Sequence, residues 1–208
     1  MRWIACMTTC ERKRSTLPQT IASLAAAGWP DVRLFVDAKM SGARNAFLHV
    51  LSEAAGGDWD RLLFVQDDVL FVGGLREWVE SQHDSGRLPA GVVSLWMPEI
   101  HQRRDNSGWW RIPDNELPRK AYGALAYVLD RPTVDAILQT GNYSGQPNKL
   151  EFLVGYVCQK RNIGYWYYRR SFCQHIGSAS TISPGIPSVR YFRNAANDWN
   201  TPPSYNVT

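Results

Sequence analysis

Residues Leu62-Leu63-Phe64-Val65 form a continuous apolar run that passes directly into Gln66-Asp67-Asp68. A run this short, with no alternation, predicts a strand buried on both faces, as in a parallel sheet. Parallel strands need crossover connections, so one such strand commits much of the chain to alternating strands and helices. The carboxylates at its end would stand where open α/β sheets bind their ligands. Paired acids in that position suit a hard cation, which takes oxygen ligands and bridges to phosphate. The same two residues are also common turn and capping residues, and on their own they support either role.

The flanking sequence supplies the alternation. Trp3 to Met7 predicts a first strand, with Thr8 and Thr9 at its exit, and Ser15 to Ala27 a helix. In that helix Leu17, Ile21, Leu24 and Ala25 share a face, Pro18 falls in the tolerant first turn, and Gly28 is the stop. Val32 to Val36 predicts a second strand ending in Asp37, and Arg44 to Ala55 a second helix before the central strand. The order strand-helix-strand-helix-strand predicts a mostly parallel, Rossmann-like sheet flanked by helices in a single α/β domain. No Gly-x-Gly-x-x-Gly follows the first strand, and there is no Walker A lysine motif, which argues against dehydrogenase-type and P-loop nucleotide sites.

Further along, Gly74 to Gln82 predicts a short helix, Gly91 to Trp96 a strand, and Pro98 to Pro118 an irregular connection. Ala121 to Leu129 reads as a small-residue strand in which Gly123 permits close backbone approach. Pro132 to Gln139 and Leu150 to Lys160 predict helices separated by a loop, and Gly164 to Tyr168 a strand. Ser171 to His175 leads into a Ser/Thr/Gly/Pro-rich end, with residues 183–208 expected to form a tail.

Composition narrows the class. At 208 residues, with 44% hydrophobic and 20% charged residues, the chain reads as one ordinary globular domain. No apolar run reaches the roughly 18 residues of a membrane span, and the first residues lack a signal-peptide core, so a cytoplasmic location is expected. Cys6, Cys10, Cys158 and Cys173 form neither a Cys-x-x-Cys pair nor a zinc pattern, and reduced thiols are expected. A net charge of +4 permits an anionic partner without requiring one.

Four segments, taken in order, resemble the GT-A class of nucleotide-sugar-dependent glycosyltransferases over most of residues 3–182. They are the first strand exit with Arg12, Leu17, Ile21 and Leu24; Phe35-Val36-Asp37 followed by Gly42 and Asn45; Phe64-Val65-Gln66-Asp67-Asp68-Val69; and Glu151 with Gly155, then Gln174-His175-Ile176-Gly177-Ser178-x-Ser180-Thr181. The resemblance implies a nucleotide-binding half (1–72) and an acceptor half (73–182). It implies an inverting transfer of a sugar from a UDP-linked donor to a hydroxyl, assisted by Mn²⁺ or Mg²⁺. By this resemblance Asp68 is a metal ligand and His175 a further one, and Glu151 is the general base. Thr8, Thr9, Arg12, Asp37, Arg44, Asn45, Gln66 and Asp67 surround the nucleotide. The triplet departs from the family's Asp-x-Asp at its first position, where Gln66 offers only an amide.

Each assignment has a plainer counterpart. Glutamate is favoured in the first turn of any helix, and a lone histidine is commonly a hydrogen-bonding residue of the core. The acceptor is read from aromatic and basic residues: Arg103-Arg104, Trp109-Trp110-Arg111 and Trp166 to Arg170, with Gly123. Interleaved rings and cations suit a saccharide, or DNA carrying hydroxymethylated bases that would be flipped into the site. A non-catalytic carbohydrate- or nucleic-acid-binding module on the same fold is the alternative, with Gln66 in its favour.

Overall fold

The computed structural model describes residues 1–11, 15–97, 108–140, 149–168 and 171–176. Strands β1 (Trp3–Thr9), β2 (Val32–Val36) and β3 (Arg61–Gln66) alternate with helices α1 (Leu17–Ala26) and α2 (Ala43–Ala55). β4 (Val69–Phe71), α3 (Leu75–Asp84), β5 (Val92–Ser94) and β6 (Trp109–Arg111) follow. β7 (Ala126–Asp130), α4 (Arg131–Thr140), α5 (Leu150–Arg161), β8 (Tyr165–Tyr168) and β9 (Cys173–His175) complete the fold.

Seven strands form one sheet in the order β2-β1-β3-β7-β5-β8-β6, and β4 and β9 form a second, two-stranded one. β1 is parallel to β2 and β3, and β5 is parallel to β8. β7 runs antiparallel to both its neighbours and β6 antiparallel to β8. The sheet is thus mostly parallel and Rossmann-like, as the strand-helix alternation implies, but two strands are reversed.

The period of two along each strand divides the core. Ile4, Cys6, Leu62 and Phe64 face α2, α4 and α5. Ala5, Met7, Leu63 and Val65 face α1 and α3. The central run Leu62–Val65 is fully buried, as a strand covered on both faces must be. Because α1 and α2 leave β1 and β2 on opposite faces, the crevice between β1 and β3 is the point where the connections diverge. In an open α/β sheet that is where ligands bind.

Two sequence expectations change. The small-residue strand begins at Ala126 rather than Ala121, because Gly123 adopts φ +77° and the Leu125 amide bonds back to the Gly123 carbonyl at 2.7 Å. The Pro98–Pro118 connection contains strand β6 and a single 3-10 turn at Asp114–Glu116; residues 98–107 lie outside the described residues. After β3 the chain turns at Asp67-Asp68 and re-enters as β4, paired with β9.

The four cysteines are free, with Cys6, Cys158 and Cys173 buried. Among the described residues no helix is long and apolar enough to cross a membrane.

The Trp96 ring lies against the backbone of Gly123, where an added Cβ would stand 1.8 Å from the ring. Gly123→Ala is therefore expected to destabilise the fold by roughly 1–3 kcal/mol from overpacking alone. Gly56→Ala meets no atom within 4 Å, at φ −75°, and should leave thermal unfolding unchanged. Equal melting temperatures for the two variants would contradict the Trp96 contact.

Candidate functional site

The end of β3 is fixed by hydroxyls. Thr9, at the end of β1, donates to Asp67 Oδ2 at 2.5 Å. Thr16 and Thr20 donate to the Asp67 carbonyl at 2.8 and 2.9 Å. The Thr20 hydroxyl also accepts the Val69 amide at 3.2 Å, and Ser23 Oγ accepts the Phe71 amide at 3.3 Å. Residues 16, 20 and 23 lie on one face of α1, so a polar stripe at i, i+4 and i+7 binds the chain from Asp67 to Phe71. Thr20 is fully buried within this stripe. The spacing of these hydroxyls among apolar helix positions was the available sequence signal. It is superposed on the apolar face Leu17-Ile21-Leu24-Ala25, which dominates the helical period.

This docking separates the two acids. Asp67 turns toward α1 and is 1% exposed. Asp68 instead meets a histidine: its Oδ2 lies 3.1 Å from His175 Nε2, within hydrogen-bonding distance. His175 is held there because Val69 pairs with His175 across the β4–β9 ladder and the Ile176 amide donates to the Asp68 carbonyl at 2.9 Å. Both side chains are about one-tenth exposed. Two residues 107 apart in sequence are thus joined by a three-residue ladder.

The separation is that of a hydrogen bond between imidazole and carboxylate, and both groups are of types that can also ligate a cation. A carboxylate with a neutral imidazole suits Mn²⁺ or Mg²⁺ when phosphate oxygens and water complete the shell. Among the described residues no group of three or more His, Cys, Asp or Glu side chains could hold a metal by itself.

Gln66 has a structural task. Its Nε2 donates to the Ala124 carbonyl at 2.8 Å while its backbone amide donates to the Leu125 carbonyl at 2.9 Å. An aspartate could not make the first bond, which accounts for the amide in this triplet. Asp37 is likewise engaged. Its Oδ1 accepts the Ser41 amide and hydroxyl, both at 2.9 Å, and its Oδ2 accepts the Gly42 amide at 3.2 Å. Asn45 donates to the Ser41 carbonyl at 2.8 Å, tightening the same loop. Thr8 is half-buried opposite Gln66 at the mouth of the crevice. Arg44 is half-buried in the first turn of α2, and Arg12 lies outside the described residues.

Glu151 opens α5, which runs from the carboxyl edge of the sheet toward the start of β8. Its first turn therefore stands on the same edge as Asp68. One turn later, Gly155 packs so closely on Pro118 and Ala121 that a Cβ there would come within 2.8 Å of Ala121. Beneath α5 lie Tyr127, Tyr165 and Tyr167. The Tyr165 and Tyr127 hydroxyls are 3.2 Å apart, and Tyr167 donates to the Tyr122 carbonyl at 3.0 Å. Burial raises all three phenol pKa values well above the ordinary range, and the Glu151 charge adds to the effect at Tyr127. This phenol layer stays neutral, and the sequence analysis did not identify it.

The aromatic residues proposed for an acceptor lie elsewhere. Trp109 packs against Trp78 and Tyr168, Trp110 stacks on Tyr167, and Arg111 forks to Asp114 at 3.0 and 3.3 Å. They belong to edge strand β6, four positions from β3, which is about 19 Å at the usual strand spacing. Gly123 serves Trp96, as described above. Arg103 and Arg104 lie outside the described residues, as do Arg169 and Arg170 and the Gly177–Thr181 part of the last motif. A cleft of about 480 Å³ lined by Trp3, Asp31, Arg33, Asp58 and Trp59 opens at the opposite edge of the sheet and contains none of these candidates.

No family model matches the chain, and no curated protein matches it. Solved structures do share its architecture. One, the crystal structure of A197 from STIV, superposes with a TM-score of 0.51 at 14% identity, covering 84% of each chain. At that identity the likeness concerns the fold alone.

Thr20→Val removes both hydroxyl bonds while keeping the side-chain shape. It is expected to cost about 1–3 kcal/mol, since a buried carbonyl and amide each lose a partner. Chemical denaturation would show this as a lower midpoint with an unchanged slope. An unchanged midpoint would mean that the stripe does not hold β3.

Proposed function

We propose that the chain is a metal-assisted glycosyltransferase that moves a sugar, with inversion, from a UDP-linked donor to a hydroxyl acceptor. The observation that carries this reading is the Asp68–His175 pair at the carboxyl edge of the β1–β3 crevice. The ordered resemblance of its motifs to GT-A glycosyltransferases supports it. Asp68 and His175 would hold the cation, whose positive charge offsets the charge that develops on the leaving diphosphate. Thr8, Arg44 and the Asp37 loop line the adjoining strand exits, where the nucleoside would lie.

Glu151 accepts the proton of the acceptor hydroxyl as its oxygen bonds to the anomeric carbon. The bond from that carbon to the diphosphate oxygen breaks on the opposite face, and the electron pair leaves with the nucleotide. The acceptor is a saccharide or a hydroxymethylated base in DNA.

A second reading, a non-catalytic carbohydrate- or nucleic-acid-binding module, has a specific observation in its favour. Gln66, Asp37 and Asp67 are all engaged in bonds that hold the fold.

The donor site is tested by thermal shift with UDP and UDP-sugars, with and without Mn²⁺. A metal-dependent rise in melting temperature that disappears in Asp68→Ala is expected, because a ligand that binds only the folded state stabilises it. No rise with any nucleotide favours the binding module. Where transfer is measured, Glu151→Gln should lower turnover by about two to four orders of magnitude; full activity would remove Glu151 from the mechanism. A DNA acceptor predicts retention on DNA that falls steeply as salt rises, whereas weak retention that ignores salt excludes that branch.

A further inference from the structure

Strand β2 is an edge strand, and among the described residues nothing pairs with its outer side. Leu34 is 45% exposed, Val36 65% and Met40 56%. These are three of the five large hydrophobics exposed among the described residues, and they fall within seven positions. An edge strand that shows apolar side chains and an open hydrogen-bonding row is a template for another strand.

The outer hydrogen-bonding groups follow from the inner pairing. The Asp37 amide donates to the Thr9 carbonyl of β1 at 2.8 Å. Backbone direction alternates along a strand. Arg33 and Phe35 therefore also point inward, while Val32, Leu34 and Val36 present their amides and carbonyls outward.

A second copy related by a two-fold axis would pair antiparallel to β2. With at least three residues of this five-residue strand paired, three registers join outward-pointing residues to one another; the one that sets Arg33 opposite itself places like charges on the axis, and two remain. One sets Leu34 opposite itself, but also sets Asp31 opposite Asp37 of the partner subunit, twice, which places like charges together. The other sets Phe35 opposite itself, Leu34 opposite Val36 of the partner subunit, and Arg33 opposite Asp37 of the partner subunit. In this second register the two most exposed apolar residues of β2 cover each other on one face. On the other face two opposite-charge pairs flank the axis, and Asp31 approaches Lys39 of the partner subunit. Arg33, Asp31 and Lys39 are all exposed and accessible for this.

We propose that the protein forms a two-fold dimer through antiparallel β2–β2 pairing centred on Phe35, joining the two seven-stranded sheets into one. This dimer does not depend on what the Asp68 edge binds. It sets the partner's Arg33 beside Asp37 at the exit of β2.

Sedimentation velocity over roughly a hundredfold concentration range tests it, since assembly follows mass action. The expected species has twice the 23.6 kDa chain mass. Val36→Lys and Arg33→Asp, both at exposed positions, should each raise the dissociation constant at least tenfold while leaving circular dichroism unchanged. Oxidative crosslinking then fixes the register. Non-hydrogen-bonded partners stand about 4.5 Å apart between Cα atoms, within the range a disulfide spans. Phe35→Cys should therefore crosslink to itself, and Leu34→Cys and the unsubstituted chain should not. A monomer at every concentration would overturn the proposal, as would a dimer indifferent to both charge variants or crosslinking at Leu34→Cys in place of Phe35→Cys.

Discussion

Much of the arrangement rests on the three threonines that hold Asp67. The acid stands at the end of a strand buried on both faces, where a carboxylate is costly unless hydrogen-bonded. Thr9 satisfies it from the neighbouring strand at 2.5 Å, a charge-assisted bond. Thr16 and Thr20 take the Asp67 carbonyl from the helix that follows that strand. β1, α1 and β3 are thereby held together at one point. With the chain fixed there, the next residue, Asp68, has a defined direction, and β4 leaves toward β9.

The consequence for chemistry is a division of labour between adjacent acids. Asp67 holds the scaffold, and Asp68 is hydrogen-bonded to His175. A pair of carboxylates both turned toward one ion would have been a stronger ligand set, but the sheet would have lost its anchor. Gln66 shows the same economy. Its amide holds the segment before β7 through Ala124, so the first position of the triplet serves the sheet as well.

The other components of the edge are brought together by the same topology. β7 runs against β3, and the turn before it carries Gly123 under Trp96. That turn supports α5 through the contact of Gly155 with Pro118 and Ala121. The first turn of α5, with Glu151, thus reaches the edge that carries Asp68, above a layer of neutral phenols. The aromatic residues of β6 are at the far side of the sheet, where they close its edge against α3.

The strand-helix alternation, the double-sided burial of Leu62–Val65 and the polar residues at the strand ends were all legible in the sequence, because periodicity and turn chemistry are local. The reversal of β6 and β7 was not, since strand direction depends on which partner a strand finds. Nor was the difference between Asp67 and Asp68. The sequence presents two identical side chains side by side. Only the tertiary structure gives the first of them Thr9 at its carboxylate and Thr16 and Thr20 at its carbonyl, and the second an imidazole, because the packing of β1, α1 and β9 around the turn after β3 decides what each one meets.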